Sequence, residues 1–342
     1  VRIESAPLRI GLLGAARIAE FAITEASRET GDIRASVAAR NPERARAYAQ
    51  QHEYEAVAES YEALIADDSL DVIYIGLPNG LHAEWTVRAL AAGRSVLVEK
   101  PFAANLAEFD FVAAQMAKAQ GWAWEAFHYA DHPAIWRLLE TIRSGEIGEV
   151  REIEVRLDMP APAPNDPRWD FALAGGAMMD LGCYAIHVLI LIAEALGAPL
   201  ELRTAEADLA AADPLVDATV RATFDLGGAN AILHTSMVSD GLDFSLRVIG
   251  SHGEATLPDF VKPFGDDRLL VRGVEGERVE RTGTVSSYVY QLERVRAAVR
   301  GGERTAEELA RSRRTIELID AVYAACGLPP RPGRLERSEP LE

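Results

Sequence analysis

The stretch that decides the fold is Ser95-Val96-Leu97-Val98-Glu99-Lys100-Pro101, where a branched apolar run leads directly into an acid, a base and a proline. The apolar run predicts a buried parallel strand. Pro101 lacks a backbone N–H and restricts the preceding residue to an extended conformation, so the strand is predicted to end at Lys100. In an open α/β sheet the carboxyl ends of the strands form the ligand-binding edge, which makes Lys100 a candidate functional residue. Because Glu-Lys-Pro also occurs in surface turns, this assignment depends on the flanking sequence.

The composition is that of an acidic globular chain. With 342 residues it is long for a single core, so two domains are expected. The formal net charge of -18 disfavours a nucleic-acid partner and an acidic membrane surface. The two cysteines, Cys183 and Cys326, predict neither a disulfide framework nor a thiolate metal site, which fits a cytoplasmic location. No signal peptide is expected in 1–7, and the apolar run 188–193 is too short to span a bilayer.

A dinucleotide-binding turn is predicted directly after the first apolar strand, at 8–13. The next residues are Gly14-Ala15-Ala16-Arg17-Ile18-Ala19, which match the spacing G-x-G-x-x-G/A with small residues at the three required places. Ala16 stands where glycine is usual. A pyrophosphate would lie on the amides of the helix N-terminus that follows. The alternative is a tight strand-to-helix turn without a ligand.

The end of the second predicted strand indicates which nicotinamide cofactor is bound. An NAD enzyme carries an acid here, which binds the ribose 2′-hydroxyl, but this chain has Arg40, with Arg44 one helical turn further on. Two guanidinium groups suit a 2′-phosphate, so NADP(H) is favoured over NAD. The alternative is a pair of solvated arginines at a helix start.

Strands and helices alternate through the rest of the first half, which predicts a doubly wound parallel sheet that closes near residue 127. The predicted helices are 20–29, 61–66, 82–92 and 105–120, the last capped by Asn105, and the predicted strands are 33–39, 71–76, 95–98 and 122–127.

The second half, 128–342, reads as an α+β domain with a large, mainly antiparallel sheet. A proline-rich loop at 159–167 follows its first strand, and the segment from Gly327 onward is predicted to be a loose tail. The predicted helices are 132–144, 177–187, 285–300 and 305–325, and the predicted strands are 150–157, 216–226, 229–238, 244–249 and 254–257.

One apolar helix of this half carries three polar groups at helical spacing. Asp180, Tyr184 and His187 stand at i, i+4 and i+7 and are predicted to share one face. Gly175 and Gly176 before the helix permit close approach to its N-terminus. The three groups need partners or a cavity, and the alternative is an ordinary set of buried polar residues. No second histidine or cysteine stands at ligand spacing nearby, so no metal is expected.

Taken in order, five pieces of the chain resemble the glucose–fructose oxidoreductase / inositol dehydrogenase (Gfo/Idh/MocA) family. They are Gly-Leu-Leu-Gly-Ala-Ala-Arg-Ile-Ala at 11–19, Leu-Pro-Asn-Gly-Leu-His at 77–82, Glu-Lys-Pro at 99–101, Glu-Ala-Phe-His-Tyr at 125–129 and Gly-Gly-Ala-Met-Met-Asp-Leu-Gly-Cys-Tyr at 175–184. The resemblance implies an N-terminal Rossmann domain, a C-terminal domain with an open sheet, a nicotinamide cofactor, and hydride transfer to or from a sugar, polyol or related alcohol.

The resemblance also implies roles for individual residues. Tyr184 is the candidate proton carrier, Lys100 lowers its pKa and holds the substrate oxygen, and Asp180 orients the substrate hydroxyls. In the alternative assignment Lys100 is the direct proton relay and Tyr184 only positions the substrate. Substrate contacts are assigned to His128 and His187. The implied cofactor contacts are Gly14, Ala15, Ala16, Arg17, Ile18, Ala39, Arg40, Arg44, Leu77, Pro78, Asn79, His82, Glu99, Lys100, Arg168 and Trp169.

Tyr184 stands where many family members carry histidine, and resembles the dimeric dihydrodiol dehydrogenase and NADP-dependent xylose dehydrogenase branch. His187 stands where many members carry aspartate, and Ala130 and Asp131 depart from the usual pattern. Two other functions remain open: a non-catalytic NADPH-binding regulator or scaffold, and an NAD-linked inositol or polyol dehydrogenase. A homodimer or larger homo-oligomer is expected through the C-terminal sheet, where one face carries Ile232 and Val238 beside polar side chains.

Overall fold

A computed structural model describes residues 6–274 and 276–335, which form two compact units. Of the described residues, the first unit contains 6–128, Tyr288–Ala310 and 333–335, and the second contains the described residues of Tyr129–Ser287 together with Arg311–Pro332. The sequence predicts a single boundary near 127, with 128–342 as one domain. The structure differs because two segments of the second half, Tyr288–Ala310 and 333–335, belong to the first unit.

The first unit is built on a six-stranded parallel sheet. Its strand order is β3-β2-β1-β4-β5-β6, which is the doubly wound order predicted from the alternation of strands and helices. The order reverses between β1 and β4, where such sheets bind ligands at the carboxyl ends of their strands. The strands are β1 (Arg9–Leu13), β2 (Ile33–Ala38), β3 (Ala56–Val57), β4 (Val72–Ile75), β5 (Ser95–Val98) and β6 (Ala123–Glu125).

Three helices of the first half begin at a polar side chain that caps them: Asn41, Ser60 and Asn105. Asn41 Oδ1 accepts hydrogen bonds from the amides of Glu43 and Arg44, and Asn105 Oδ1 accepts one from Glu108 N at 2.8 Å, as its predicted cap role requires. The last of these helices ends at Met116, earlier than the predicted 120. The helices are α1 (Arg17–Ala19), continued by a π-helical turn (Glu20–Glu25) and α2 (Ala26–Thr30), then α3 (Pro42–His52), α4 (Tyr61–Ile65), α5 (His82–Ala91) and α6 (Leu106–Met116).

An eight-stranded sheet forms the second unit. Its order is β14-β13-β12-β11-β7-β10-β9-β8, and all neighbours are antiparallel except β7 and β10, which confirms the predicted mainly antiparallel sheet. The strands are β7 (Val150–Asp158), β8 (Leu200–Leu209), β9 (Asp217–Leu226), β10 (Ala229–Ser236), β11 (Leu246–Gly250), β12 (Glu254–Leu257), β13 (Arg268–Gly273) and β14 (Gly276–Arg281).

Four helices complete the described chain: α7 (Pro133–Arg143), α8 (Cys183–Leu196, preceded by a π-helical turn at Met178–Gly182), α9 (Ser287–Gly301) and α10 (Ala306–Ala325). The run Phe171–Leu196 contains an 18-residue window apolar enough to cross a membrane, and that window is buried inside the protein. The core helix of a soluble protein has this property, as predicted for 188–193.

One face of the large sheet carries mainly polar side chains. Along β10, Ala231 and Leu233 point into the core, whereas Asn230, Ile232 and His234 are only half-buried. Ion pairs cover neighbouring strands of this face, including Arg247 with Glu154 and Arg221 with Asp208. Val238 was predicted on β10 beside Ile232, but the strand ends at Ser236 and Val238 lies beyond it, 52% exposed.

From 327 to 335 the C-terminal segment is fixed, contrary to the predicted loose tail, whose remaining residues, 336–342, lie outside the described residues. Arg331 is fully buried and forms an ion pair with Asp217, which is equally buried. Further on, Arg334 N donates a 2.8 Å hydrogen bond to Glu108 Oε1 within the first unit. The prediction was wrong because glycine and proline near the end of the chain were taken as a sign of disorder, although both are compatible with a held, extended segment.

Candidate active site

Lys100 lies immediately after β5, at the carboxyl edge of the parallel sheet. Its neighbour Glu99 is buried, and Glu99 Oε1 accepts a 2.5 Å hydrogen bond from the hydroxyl of Tyr74 on β4. The peptide bond between Lys100 and Pro101 is cis. The lysine is half-buried and follows the strand at the ligand-binding edge of the sheet.

His82 fastens the ends of two neighbouring strands together. Its Nδ1 lies 2.8 Å from the Pro101 carbonyl oxygen and its Nε2 lies 2.7 Å from the Leu77 carbonyl oxygen. Burial lowers the pKa of His82 to about 4; the two carbonyl oxygens oppose this shift, and the charge of Lys100 adds to it. The predicted cofactor residue His82 therefore joins the loops after β4 and β5, next to Lys100.

The predicted dinucleotide turn has the geometry that a pyrophosphate needs. Gly14 has φ +95°, and a Cβ there would lie 2.8 Å from the backbone oxygen of Gly76 at the end of β4. Only glycine allows this approach of β1 to β4. Ala16 is the N-cap of α1, so the helix begins at the strand edge with its amides directed to the crevice.

Two arginines follow β2 beside that turn. The guanidinium group of Arg44 donates a 2.6 Å hydrogen bond to the Ala15 carbonyl oxygen, which ties α3 to the dinucleotide turn. The hydroxyl of Tyr61 hydrogen bonds the backbone of Arg40. Burial raises the pKa of Tyr61, and the backbone N–H of Arg40, which donates to the Tyr61 oxygen, opposes this rise. Both arginine side chains remain exposed, as recognition of an incoming phosphate requires.

These residues fit an NADP molecule. The tight turn at Gly14 and the helix N-terminus suit the pyrophosphate, and Arg40 and Arg44 suit a phosphate on the ribose. Ala39, at the end of β2, is half-buried between the turn and the arginines. Arg17 is exposed, and Ile18 is half-buried in the first turn of the helix. Pro78 and Asn79 are half-buried in the loop after β4.

The buried surroundings of Glu99 include an aromatic residue that sequence reasoning missed. His128 is 1% exposed and stacks on Tyr288, with 3.8 Å between ring centroids. Burial, followed by the charge of Glu99, raises the pKa of Tyr288 above its usual value. Tyr288 comes from α9 and reaches this cluster only because that helix belongs to the first unit. His128 is engaged in packing here, and its predicted substrate contact stays a prediction.

In the second unit, Asp180 is held by an arginine. Arg168 Nε donates a 2.5 Å hydrogen bond to Asp180 Oδ2, and its NH1 donates to Asp166 Oδ1 at 3.1 Å. The charge of Asp180 is the largest cause of the raised pKa of Arg168, so the guanidinium is permanently charged. Trp169 Nε1 donates to the Pro162 carbonyl oxygen at 3.4 Å. Arg168 and Trp169 therefore order the proline-rich loop; their predicted nicotinamide contact stays a prediction.

Tyr184 and His187 both contact Tyr129. The Tyr129 hydroxyl and His187 Nδ1 are 2.7 Å apart, and the rings of Tyr129 and Tyr184 are 5.7 Å apart between centroids. All three side chains are buried; Tyr184 is 7% exposed. Asp180 lies in the π-helical turn and Tyr184 at the start of α8, so the three predicted groups do not stand on one uninterrupted α-helical face. Such turns are frequent at functional sites.

The structure thus brings the predicted residues together in two sets, one in each unit. In the first unit these are the Gly14 turn with Arg44, and Leu77, His82 and Lys100. In the second they are Asp180 with Arg168, and Tyr184 and His187 around Tyr129. Within 6–274 and 276–335, no group of three histidine, cysteine, aspartate or glutamate side chains is placed to hold a metal ion.

Known proteins resemble this chain over nearly its full length. D-xylose 1-dehydrogenase (NADP(+)) 2 of Haloferax volcanii is 33% identical, over 92% of this chain and 96% of its own. A dTDP-3,4-didehydro-2,6-dideoxy-alpha-D-glucose 3-reductase of Streptomyces violaceoruber is also 33% identical, over 94% and 96%. The solved 3-ketoreductase KijD10 of Actinomadura kijaniata, in complex with NADP and TDP-benzene, has a TM-score of 0.85 at 27% identity, covering 94% of this chain and 98% of that one.

Two family models cover most of the chain. Residues 8–127 match the oxidoreductase family with an NAD-binding Rossmann fold, and 135–256 match the GFO/IDH/MocA C-terminal domain. The predicted fold class, the nicotinamide cofactor and the oxidoreductase class are confirmed. The parallel sheet with its dinucleotide turn and the large second sheet thus have one explanation: this chain belongs to the GFO/IDH/MocA family of oxidoreductases.

Proposed function

We propose that this protein is an NADP(H)-dependent oxidoreductase acting on a secondary alcohol or hemiacetal of a sugar, cyclic polyol or trans-dihydrodiol. The observation that supports the proposal is the hydrogen bond from Arg44 to the dinucleotide turn, because a guanidinium group next to this turn suits a 2′-phosphate. Relatives named for NADP, D-xylose and trans-1,2-dihydrobenzene-1,2-diol support it.

Three side chains are proposed to handle the substrate. When bound, the nicotinamide donates or accepts the hydride. Tyr184 carries the alcohol proton; because a phenol with pKa ~10 is a poor base at neutral pH, it needs a cation such as Lys100, which also holds the substrate oxygen. Asp180 orients neighbouring hydroxyls, with its carboxylate fixed by Arg168. In the alternative, Lys100 is the direct proton relay and Tyr184 positions the substrate.

Among the substrate classes of its relatives, a neutral one suits this chain better than a sugar nucleotide. Arg168, the cation of the proline-rich loop, is already bound by two carboxylates, from Asp166 and Asp180. Asp170 adds a further negative charge beside them. A diphosphate group near this loop would meet net repulsion, whereas the hydroxyls of a free sugar or diol can donate hydrogen bonds to carboxylates.

The proposal is tested by oxidation and reduction assays on a panel of aldoses, inositols, trans-dihydrodiols and dTDP-sugars, each with NADP(H) and NAD(H). We expect turnover with NADP(H) on neutral substrates. Tight NADPH binding without turnover on any member of the panel would favour the regulator or scaffold. Equal rates with NAD and NADP would favour the NAD-linked polyol dehydrogenase. Turnover confined to dTDP-sugars would refute the argument from the acidic loop.

We further propose a homodimer formed through the open face of the large sheet, working in the cytoplasm. The face combines the half-buried Ile232 with charged side chains of both signs, which can pair with a second copy of the same surface. No disulfide joins Cys183 and Cys326 among the described residues, which fits a reducing compartment.

A further inference from the structure

A fully buried ion pair lies outside the set of residues to which the reaction has been assigned. Asp217 at the start of β9 and Arg331 in the C-terminal segment are both 0% exposed and pair with each other. The hydroxyl of Tyr323 donates a 3.0 Å hydrogen bond to Asp217 Oδ1, and its ring lies 3.9 Å beneath the Arg331 guanidinium. Burial, and secondly the charge of Asp217, raise the pKa of Tyr323, so its hydroxyl remains a donor.

Both members of the pair are bound to the backbone that leads into the candidate active-site helix. Asp217 Oδ2 accepts a 2.6 Å hydrogen bond from Met178 N, in the first turn of that helix. Arg331 Nε donates a 2.7 Å hydrogen bond to the Gly175 carbonyl oxygen. Gly176 between them has φ +131°, and any Cβ there would collide with the Asp217 carboxylate. The carboxylate therefore occupies the space that the second glycine leaves.

The same backbone fixes the residues that face the substrate. Gly176 N donates to the Arg168 carbonyl oxygen at 3.0 Å, and Asp180 N donates to the Gly176 carbonyl oxygen at 3.0 Å. Arg168 in turn holds the Asp180 carboxylate. Arg331 is thus connected to Asp180 through the Gly175 carbonyl, the peptide bond to Gly176 and the hydrogen bond from Asp180 N to the Gly176 carbonyl, and Asp217 binds the same helix start at Met178 N.

Stability alone does not account for this arrangement. Bringing two charges into a dry interior carries a desolvation penalty that the pair seldom recovers, and apolar residues of the same volume usually stabilise as well or better. What a charged pair provides is directionality: a carboxylate and a guanidinium accept and donate along fixed directions to specified backbone atoms. Both charged groups bind backbone atoms of one short segment: Arg331 binds the Gly175 carbonyl oxygen and Asp217 binds the Met178 amide.

We propose that Asp217 and Arg331 are positioning residues of the active site, which set the entry of the helix that carries Asp180 and Tyr184. The inference rests on the proposed function of those two residues. The flanking sequence Pro329-Pro330-Arg331-Pro332 supports it, because prolines limit the conformations of the segment and reduce the entropy lost when Arg331 is held.

The test compares Arg331→Met, which removes the charge and keeps most of the stem, with Arg331→Lys, which restores the charge without the planar donor group. Val220→Ala is the matched control, because it creates a small cavity on the same strand as Asp217 without touching the pair. For each protein, kcat and KM, NADPH affinity by fluorescence, the melting temperature, and hydrogen–deuterium exchange of 168–182 are measured.

Arg331→Met is expected to lower kcat about 10- to 100-fold, as for a misplaced catalytic group, with NADPH affinity unchanged and faster exchange in 175–182. Arg331→Lys is expected to recover part of kcat, and Val220→Ala to lower the melting temperature while keeping kcat. Native kcat in Arg331→Met, or an equal loss in Val220→Ala, would overturn the inference.

Two further measurements separate this inference from its premises. If Arg331→Met does not fold, Tyr323→Phe removes a single hydrogen bond to Asp217 and is expected to lower kcat by a smaller factor; native kcat and native exchange would overturn the inference. If the native protein turns over no substrate, the proposed function fails. The positioning role is then decided by hydrogen–deuterium exchange in 175–182 alone, and unchanged protection of this segment in Arg331→Met refutes it.

Discussion

His82 is expected to make the stability of the protein depend on pH in a defined window. The imidazole lies between the carbonyl oxygens of Leu77 and Pro101, fully buried, and burial lowers its pKa from 6.5 to about 4. Between these two values the unfolded chain binds a proton that the folded protein does not bind. Stability must therefore fall as the pH falls from 6.5 towards 4, and is independent of this group above that window.

The size of the effect follows from the shift. At pH 5 His82 is almost fully protonated in the unfolded chain and almost fully neutral in the folded protein. Because pH 5 lies about 1.5 units below the pKa of the unfolded histidine, the free energy of unfolding is about 2 kcal/mol lower at pH 5 than at pH 7.5. Replacing His82 by glutamine, whose amide N–H can still donate to a carbonyl oxygen and which does not titrate, removes this contribution. The buried His132, whose pKa is also lowered mainly by burial, contributes equally to both proteins and cancels in the comparison.

The assay is urea unfolding of the native protein and of His82→Gln at pH 5 and pH 7.5, with the exposed His252→Gln as the control. The native protein and the control should lose about 2 kcal/mol more than His82→Gln on going to pH 5. Identical losses in all three proteins would refute the lowered pKa. A greater relative loss in His82→Gln would show that the two carbonyl oxygens instead stabilise the charged imidazolium.

Three further predictions concern the site and the assembly. Arg40→Ala and Arg44→Ala should each weaken NADPH binding by about 1 to 3 kcal/mol, and Arg40→Ala should leave NADH binding unchanged, with the exposed Arg46→Ala as the control; equal effects of Arg40→Ala on both cofactors would contradict the 2′-phosphate assignment. Lys100→Ala and Tyr184→Phe should lower kcat at least ~100-fold while NADPH still binds, and a near-native rate in Tyr184→Phe would exclude the tyrosine as proton carrier. Light scattering behind a sizing column should give a dimer mass; 37.2 kDa at micromolar concentration would mean a monomer.

The sequence was sufficient for the elements that form the ligand-binding edge. A buried parallel strand is a short apolar run, and its end is marked by a residue that cannot continue it; β5 ends before Lys100 and Pro101 for this reason. The cap at Asn105 and the turn at Gly14 were recognisable because each depends on the residue itself and its immediate neighbours. Local chemistry of this kind is fully present in the sequence.

The residues that sequence reasoning missed are those whose position depends on distant parts of the chain. The periodicity of α9 predicts a helix, but not that Tyr288 stacks on His128, 160 residues earlier in the chain, in the first unit. Helical spacing placed Asp180, Tyr184 and His187 on one face, and the π-helical turn altered that spacing. Such turns depend on packing around the helix, which a pattern of apolar residues does not encode.

The pair of Asp217 and Arg331 shows what kind of signal could have been used. An aspartate within the otherwise apolar and β-branched run Val216-Asp217-Ala218-Thr219-Val220 is unfavourable in a buried strand unless a partner satisfies it. An arginine framed by three prolines is a cation held on a stiff segment. Neither feature is informative alone, because this chain has 53 acidic and 35 basic residues and most of these charges are solvated. The two features are complementary, because the strand with Asp217 requires a buried cation and the rigid segment with Arg331 presents one. The glycines at 175 and 176 leave the space in which the two side chains meet. Such a pair is therefore recognisable only when a charge that needs a buried partner is matched with a partner elsewhere in the sequence, which local patterns do not do.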